Sequence, residues 1–161
     1  MLRLSKKADY ALIAMKHLAM KSVSQRGSAL PASAALPAVA ASAREIAEQY
    51  DIPVELMAKV LQRLVRTGLL VSTQGTRGGY TLSRASGTIS VGDVIQAIDG
   101  PFTVTACSSD NNDCEQFGKC SIRDPLWQIK ERIVAALGTV TLAQMANDQV
   151  TGAEVPVAIR R

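Results

Sequence analysis

The chain has 161 residues, enough for one compact core and an extra element, with 47% apolar and 4% aromatic residues. No apolar run reaches the length of a membrane span, and no signal-peptide cleavage pattern follows the N-terminus. These features predict a cytoplasmic protein without a membrane partner. The net charge of +4 is uneven, because residues 1–90 carry twelve Lys or Arg and five Asp or Glu, whereas residues 91–161 carry six and nine. A basic first part favours a polyanionic partner, although a solvated charged surface has the same composition.

The first predicted element is a helix over residues 5–20, where apolar side chains recur at helical spacing. Residues 21–41 are rich in Ala, Ser and Pro, and Pro31 and Pro37 interrupt any long helix. This composition predicts a flexible surface insertion.

A helix–turn–helix follows the insertion. Ser42 is positioned to cap a helix over residues 43–50, and Glu45, three residues later, would complete a capping box. A second helix over residues 54–67 ends at Gly68, which suits the left-handed position after a helix. Strands at residues 69–72 and 80–82 flank a glycine-rich turn. The order of these elements predicts a winged helix.

The second part of the chain is predicted to carry three more helices. Ser90 caps a helix over residues 91–98, Asp124 and Pro125 open a long helix, and Leu142–Ala146 is a short one. The long helix has an apolar stripe that needs a partner, formed by Leu126, Ile129, Ile133, Val134 and Leu137.

The predicted fold class is mainly α with a small β-hairpin: a winged helix–turn–helix plus a long C-terminal dimerisation helix. Residues 1–90 would form the DNA-binding domain, including the insertion at 21–41. Residues 91–148 would hold a cysteine loop and the dimerisation helix, and residues 149–161 a tail.

The three cysteines of the chain, Cys107, Cys114 and Cys120, lie together in one polar loop. Their odd number disfavours a secreted disulfide framework. Thiolates are soft ligands that suit an iron–sulfur cluster, zinc or copper(I). Zinc sites usually use cysteines two to four residues apart, so the wider spacing here favours an iron–sulfur cluster over zinc or metal-free thiols.

The ordered series of motifs resembles the winged-helix repressors of the IscR, NsrR and Suf-regulator type, which carry iron–sulfur clusters. The resemblance covers residues 2 to about 146 apart from the insertion, and is closest to the Suf-system regulators. The motifs are Leu4-Ser5 before Tyr10-Ala11-Leu12, Ile52-Pro53, Gly68-Leu69-Leu70, Gly75-Thr76-Arg77-Gly78-Gly79-Tyr80-Thr81-Leu82, Ile89-Ser90-Val91-Gly92-Asp93-Val94-Ile95, the cysteines, and Leu126-Trp127.

DNA contacts are predicted on three elements of a winged helix bound to an operator in double-stranded DNA. Some relatives have an arginine at the position of Gln74 and a glutamate at that of Ala58, so the target sequence is not carried over. Tyr80 is expected to anchor the hairpin in the core. The predicted contacts are Arg3, Lys6 and Lys7 before and in the first helix, Val54, Glu55, Ala58, Lys59, Gln62 and Arg63 in the recognition helix, and Gln74, Arg77 and Gly78 in the wing.

Three cysteines leave one cluster ligand to be found. Some relatives supply a histidine shortly after the last cysteine, but Arg123 and Asp124 stand there. Relatives of the NsrR type supply an aspartate from the partner subunit, and Asp9 matches that position. Its alternative role is that of an ordinary acidic residue near a helix N-terminus. The remaining ligand candidates are Asp113, Glu115, Asp124 and His17. For His17, a packing role is expected before a ligand role.

The resemblance implies a homodimeric repressor of iron–sulfur assembly genes, with the Suf system first and a nitric-oxide or redox response second. We favour a 2Fe–2S over a 4Fe–4S cluster. A thiol-only redox regulator without metal is the other alternative. An enzyme is not expected, because the chain has no P-loop, no dinucleotide fingerprint and no cysteine–histidine pair expected to converge.

Overall fold

A computed structural model describes residues 4–26, 40–75, 78–103 and 115–147. Within these ranges, two strands form an antiparallel hairpin, helices make up most of the chain, and short 3-10 turns lie at Ser86–Thr88 and Phe117–Lys119. This is the predicted fold class. The elements are α1 (Lys6–Arg26), α2 (Ala43–Gln49), α3 (Val54–Arg66), β1 (Leu70–Thr73), β2 (Gly79–Leu82), α4 (Val91–Asp99), α5 (Arg123–Thr139) and α6 (Leu142–Ala146).

Helix α1 is longer than predicted. It extends through Arg26, so the prediction of a flexible surface insertion over residues 21–41 is wrong for its first six residues. It is also wrong at the other end, where Ala41 is buried in the core. No Pro or Gly occurs before Gly27, and the half-buried Lys21 binds the carboxylate of Glu45 on α2. This ion pair holds the added turn of α1 against the next helix. The insertion from residue 27 to residue 39 lies outside the described residues.

Helix α2 begins with the predicted Ser42 cap. The Ser42 hydroxyl accepts a hydrogen bond from the Glu45 backbone N–H at 3.1 Å, as predicted. The Glu45 carboxylate binds Lys21 on α1, and the Ser42 backbone N–H also lowers the pKa of this carboxyl.

The turn after α2 and the end of α3 orient the helix–turn–helix. Asp51 has φ 51°, and the buried Ile52 donates its N–H to the Ala47 carbonyl at 2.9 Å. Gly68 has φ 77°, the left-handed conformation predicted for the residue after the helix.

The hairpin pairs Leu70 with Leu82 and Thr73 with Gly79. Its second strand is also joined to the segment before α2, where Ala41 and Tyr80 exchange backbone hydrogen bonds of 3.1 and 2.9 Å. Tyr80 is half-buried and packs on the core, in agreement with its predicted anchoring role. The wing is thereby attached to the start of the helix–turn–helix.

One hydrophobic core joins the winged helix to the C-terminal helices. Helix α1 packs against α3, α4 and α6, so the core crosses the predicted domain boundary at residue 90. The largest fully buried side chains are Met15, Ile46, Met57, Leu61, Leu64, Ile89, Val94 and Leu142.

Helix α4 begins with the predicted Ser90 cap, which is part of a capping box in which Ser90 and Asp93 each accept from the other's backbone N–H. The segment after α5 pairs with the segment before α4, because Val91 donates to the Val140 carbonyl at 2.8 Å and Leu142 donates to the Ile89 carbonyl at 2.9 Å. These bonds hold the end of α5 on the winged helix.

The predicted start of α5 is wrong. The helix begins at Arg123 with Ile122 as its N-cap, and Leu126 donates to the Ile122 carbonyl at 3.1 Å. Asp124 lies inside the first turn and accepts from Arg123 Nε at 2.8 Å. Pro125 is tolerated there because the first turn needs no N–H from it. Among the described helices, none is long and apolar enough to cross a membrane.

Candidate DNA-binding surface and metal site

The recognition helix α3 has a buried face and an exposed face. Met57, Val60, Leu61 and Leu64 are buried and fix the helix on α1 and α2. An amphipathic helix held this way presents its other side as a rigid surface. On that side Val54, Glu55, Lys59, Gln62 and Arg63 are exposed, and Ala58 is half-buried.

Arg63 makes a contact that the sequence did not predict. Its Nε donates to the backbone carbonyl of Ala97 on α4 at 3.0 Å, 34 positions further along the chain. The guanidinium is therefore anchored to the protein through one nitrogen, and its role as a phosphate contact stays a prediction.

The wing is close-packed at its base. A Cβ on Gly78 would lie 2.4 Å from the Thr73 carbonyl oxygen, which only glycine avoids. Gly78 donates its N–H to the Gly75 carbonyl at 2.9 Å, and Gln74 is exposed beside this turn. The predicted wing-tip contact Arg77 lies outside the described residues.

The N-terminus of α1 carries the other predicted contacts. Lys6 and Lys7 are exposed in its first turn, and Arg3 lies outside the described residues. Ser5 caps the helix, since its hydroxyl accepts from the Ala8 N–H at 3.1 Å. Asp9 follows in the same turn region with an exposed side chain, which leaves its carboxylate accessible.

The cysteine loop is described only at its end. Cys120 is half-buried, carries a free thiol, and follows the 3-10 turn that precedes α5. Cys107, Cys114 and Asp113 lie outside the described residues. Within the described ranges, no three His, Cys, Asp or Glu side chains converge as metal ligands. Three thiols and an accessible carboxylate are chemically suited to iron, and Cys120 is accessible enough to serve as a ligand.

The fallback ligands differ in their surroundings. Glu115 is exposed, whereas the Asp124 carboxylate is paired with Arg123. His17 is buried between α1 and α2, where Nδ1 lies 3.3 Å from the Tyr50 hydroxyl and the two rings meet edge to face. Its position supports the packing role predicted first.

The His17 site is also electrostatically distinct. Burial lowers the pKa of the imidazole below its usual value, the Lys21 charge lowers it further, and Glu45 opposes both. The hydrogen bond from Lys21 lowers the pKa of the Glu45 carboxyl. His17 Nε2 is buried with no hydrogen-bond partner and lies 3.9 Å from Glu45 Oε1. Burial and the nearby Lys21 charge therefore disfavour the protonated imidazole.

Helix α5 exposes a large apolar surface, as the predicted stripe implied. None of its residues is buried. Of the predicted stripe, Leu126, Ile133 and Leu137 are half-buried, whereas Ile129 and Val134 are exposed. Exposed apolar groups clustered on one helix are typical of an interaction surface. Its exposed large side chains, together with the preceding N-cap, are Ile122, Trp127, Ile129 and Val134.

One link was missed because its partners are far apart in sequence. The Asp99 carboxylate at the end of α4 accepts two hydrogen bonds from Ser5, from the hydroxyl at 2.5 Å and from the backbone N–H at 3.1 Å. The position of Ser5 before a helical pattern predicts a cap, but nothing in the sequence identifies Asp99 as its partner.

Comparison with known proteins agrees with this architecture. Residues 4–148 match the Rrf2 family, described as iron-dependent transcriptional regulators. The HTH-type transcriptional regulator IscR of Cronobacter sakazakii is 30% identical over 149 residues, covering 92% of this chain and 82% of the relative. IscR of Citrobacter koseri is 31% identical over the same shares of both chains.

Solved structures show the same fold. The structure of T. potens IscR has a TM-score of 0.65 and 26% identity, covering 91% of this chain and 88% of that one. CymR, the global cysteine regulator of B. subtilis, has a TM-score of 0.69 and 24% identity over 92% of this chain and 98% of its own. These relatives are transcriptional regulators and not enzymes, as predicted. Because the family match spans most of the chain, this protein belongs to the Rrf2 family of DNA-binding transcriptional regulators.

Proposed function

We propose that the protein is an iron–sulfur-sensing repressor of cluster-assembly genes, with the Suf system as the first target, acting in the cytoplasm. The observation that carries the proposal is the combination of an anchored recognition helix with three cysteines in one loop between α4 and α5. The family description as iron-dependent supports the metal, and the IscR relatives support the DNA-binding role.

The DNA-binding part acts through shape and charge. Helix α3 enters the major groove with Lys59 and Gln62 directed at base edges or phosphates, and Glu55 accepts from cytosine. Lys6 and Lys7 at the start of α1 neutralise backbone phosphates. Arg3 and the wing residues Gln74, Arg77 and Gly78 extend these contacts to the flanking DNA.

A homodimer supplies the second half-site. Helix α5 exposes Trp127, Ile129 and Val134 in a single chain, so a second copy that covers them removes apolar surface from water. Two winged helices then address a near-palindromic operator.

The cluster ligands proposed are Cys107, Cys114, Cys120 and Asp9, the last from the partner subunit, and a 2Fe–2S cluster is favoured over 4Fe–4S. When bound, the cluster supplies a redox-active centre whose loss or change is the signal. A carboxylate holds iron less firmly than a thiolate does, so an Asp9 ligand would make the site labile. Asp9 is exposed, which allows it to reach beyond its own chain.

The alternatives keep the same fold. A nitric-oxide or redox-responsive repressor would use the same cluster, whereas a thiol-only regulator would use the cysteines without metal. The free, half-buried thiol of Cys120 is compatible with this second possibility. A metal measurement distinguishes the two classes.

The test of the cluster is a visible spectrum with iron and sulfide analysis on protein purified without oxygen. We expect charge-transfer bands with matching iron and sulfide, and their loss in Cys120→Ala. Ser121→Ala is the matched control, because it changes the adjacent exposed residue without removing a thiol. Wild-type protein that remains iron-free after anaerobic reconstitution would exclude the cluster and leave thiol sensing.

The DNA surface is tested separately with Lys59→Gln, using fluorescence anisotropy against a duplex selected from a random-sequence pool by the wild-type protein. If Lys59 contacts a phosphate, affinity falls about tenfold and the salt-dependence slope falls by about 1. Lys119→Gln removes the same charge from the exposed turn before Cys120 and is expected to change neither. Equal effects of both variants would show that only net charge matters.

A further inference from the structure

The last turn of α4 holds two DNA-contacting elements at once. At its end, the Asp99 carboxylate accepts two hydrogen bonds from Ser5, the N-cap of α1. Two residues before Asp99, the Ala97 carbonyl accepts a hydrogen bond from Arg63 Nε on α3. The three elements therefore meet at one helix end.

The link between Ser5 and Asp99 sets the position of the start of α1. The Ser5 hydroxyl donates to Asp99 at 2.5 Å while accepting from the Ala8 N–H at 3.1 Å. The Asp99 charge also lies at the positive end of the α1 dipole, which strengthens the contact. Residues of this first turn include the exposed Lys6, Lys7 and Asp9.

The same helix end is the root of the cysteine loop. Gly100, with φ 83°, ends α4 and donates its N–H to the Gln96 carbonyl at 3.0 Å. Cys107 follows seven residues later, and the loop returns at Cys120 just before α5. Helix α5 packs on α4, where a Cβ on Gly92 would lie 3.4 Å from the backbone of Leu137 and Gly138. The loop thus begins directly at the last turn of α4, and the helix that follows the loop packs its far end on the first turn of α4.

We propose that the last turn of α4 is the mechanical connection between the cysteine loop and the DNA-binding surface, with Asp99, Ser5 and Arg63 as its positioning residues. This inference rests on the proposed function, because it states how ligand binding in the loop reaches α1 and α3. Ligand binding that constrains the start of the loop moves or stiffens the end of α4. The hydrogen bonds to Ser5 and Arg63 carry that change to α1 and α3.

The proposed connection couples two sites, so it is measured as the ratio of the DNA affinities of the cluster-loaded and cluster-free forms. Coupling free energies in such systems correspond to affinity changes of about 5- to 150-fold. A link that only stabilises the fold lowers the melting temperature but leaves the ratio of DNA affinities of the cluster-loaded and cluster-free forms unchanged. A link that transmits the state of the loop changes that ratio.

The experiment compares Ser5→Ala, Ser5→Thr and Asp99→Asn with the wild type. DNA affinity is measured by anisotropy for protein reconstituted with iron and sulfide without oxygen and for cluster-free protein, with the duplex selected by the wild type. We expect the affinity ratio to fall by about fivefold or more in Ser5→Ala and Asp99→Asn. Ser5→Thr keeps the hydroxyl and is expected to retain the wild-type ratio.

Hydrogen exchange gives a second readout that does not depend on DNA. In the wild type, cluster loading is expected to slow exchange of the Ala8 and Asp9 amides, which bond to the Ser5 hydroxyl and carbonyl. In Asp99→Asn the part of this response that passes through Asp99 is expected to be lost, whereas protection by direct ligation of the proposed ligand Asp9 remains, as does the Ser5 cap. An undiminished response in Asp99→Asn would count against the coupling. Asp99→Asn also serves if Ser5→Ala fails to fold, because it leaves the α1 cap in place.

The outcomes separate this inference from the proposed function. A wild type whose DNA affinity is the same with and without cluster overturns the proposed regulation and the coupling with it. A large wild-type ratio that both Ser5→Ala and Asp99→Asn preserve overturns the coupling alone. Arg63→Lys adds an independent test for α3, since lysine keeps the charge but lacks the Nε donor, and we expect its ratio to fall as well.

Discussion

Replacing Ile129 with Asp on α5 is the sharpest test of the homodimer. The Ile129 side chain is 46% exposed in one chain. Full burial of an isoleucine is worth about 1.5–3 kcal/mol, so covering the exposed part contributes about 1 kcal/mol in each subunit. A two-fold interface contains the residue twice, and the new carboxylates must also be desolvated. We expect Ile129→Asp to weaken the dimer by about 3 kcal/mol or more, which is a factor of about 100 in Kd.

The assay is sedimentation velocity over a range of protein concentrations. The matched control is Gln128→Asp, which introduces the same charge at the neighbouring exposed position of α5, away from the apolar stripe. The control is expected to sediment as the wild type does. An Ile129→Asp protein with wild-type Kd, or a wild type that stays monomeric at micromolar concentration, would show that α5 is not the dimer contact. Loss of dimer in both variants would point to a general charge effect.

Two further predictions concern stability. Ser90→Ala removes the acceptor that binds the Asp93 N–H at 3.0 Å and should lower the free energy of unfolding in urea by about 1 kcal/mol. Ser90→Thr should retain most of that stability. Equal stability of all three proteins would mean that the cap contributes nothing. Because the pKa of His17 is lowered by burial and by Lys21, the unfolded chain binds this proton more readily than the folded chain does. The free energy of unfolding should therefore fall as pH decreases through about 6.5 toward the lower pKa of the folded state. His17→Gln should flatten this fall. Urea titrations in which both proteins lose stability with pH at the same rate would contradict the assignment.

The local elements were predictable because each depends on near neighbours in sequence. Ser90 caps α4 as predicted, Gly68 takes the predicted left-handed conformation, and Leu142–Ala146 is the predicted helix. These features require only a side chain and a backbone group within a few positions of each other. The same reasoning failed at Asp124, where Arg123 offers a charged partner and the helix begins two residues earlier than predicted.

The candidate site was predicted in part. The exposed face of α3 follows from helical periodicity, so Lys59 and Gln62 were identified before the fold was known. The cysteine ligands followed from composition and spacing, but Cys107 and Cys114 lie outside the described residues and their roles stay predictions. Asp9 is accessible, as a ligand must be, and its assignment also stays a prediction.

By itself, the sequence determined the order of the helices, the wing and the location of the thiols, because repeated apolar spacing, caps and glycines act over a few residues. Only the tertiary structure decided which distant groups meet. Asp99 is 94 positions from Ser5, Ala97 is 34 from Arg63, and Glu45 is 24 from Lys21. Such pairs form because burial of the core brings helix ends together, and no local pattern encodes the partner of a carboxylate or a guanidinium across that separation.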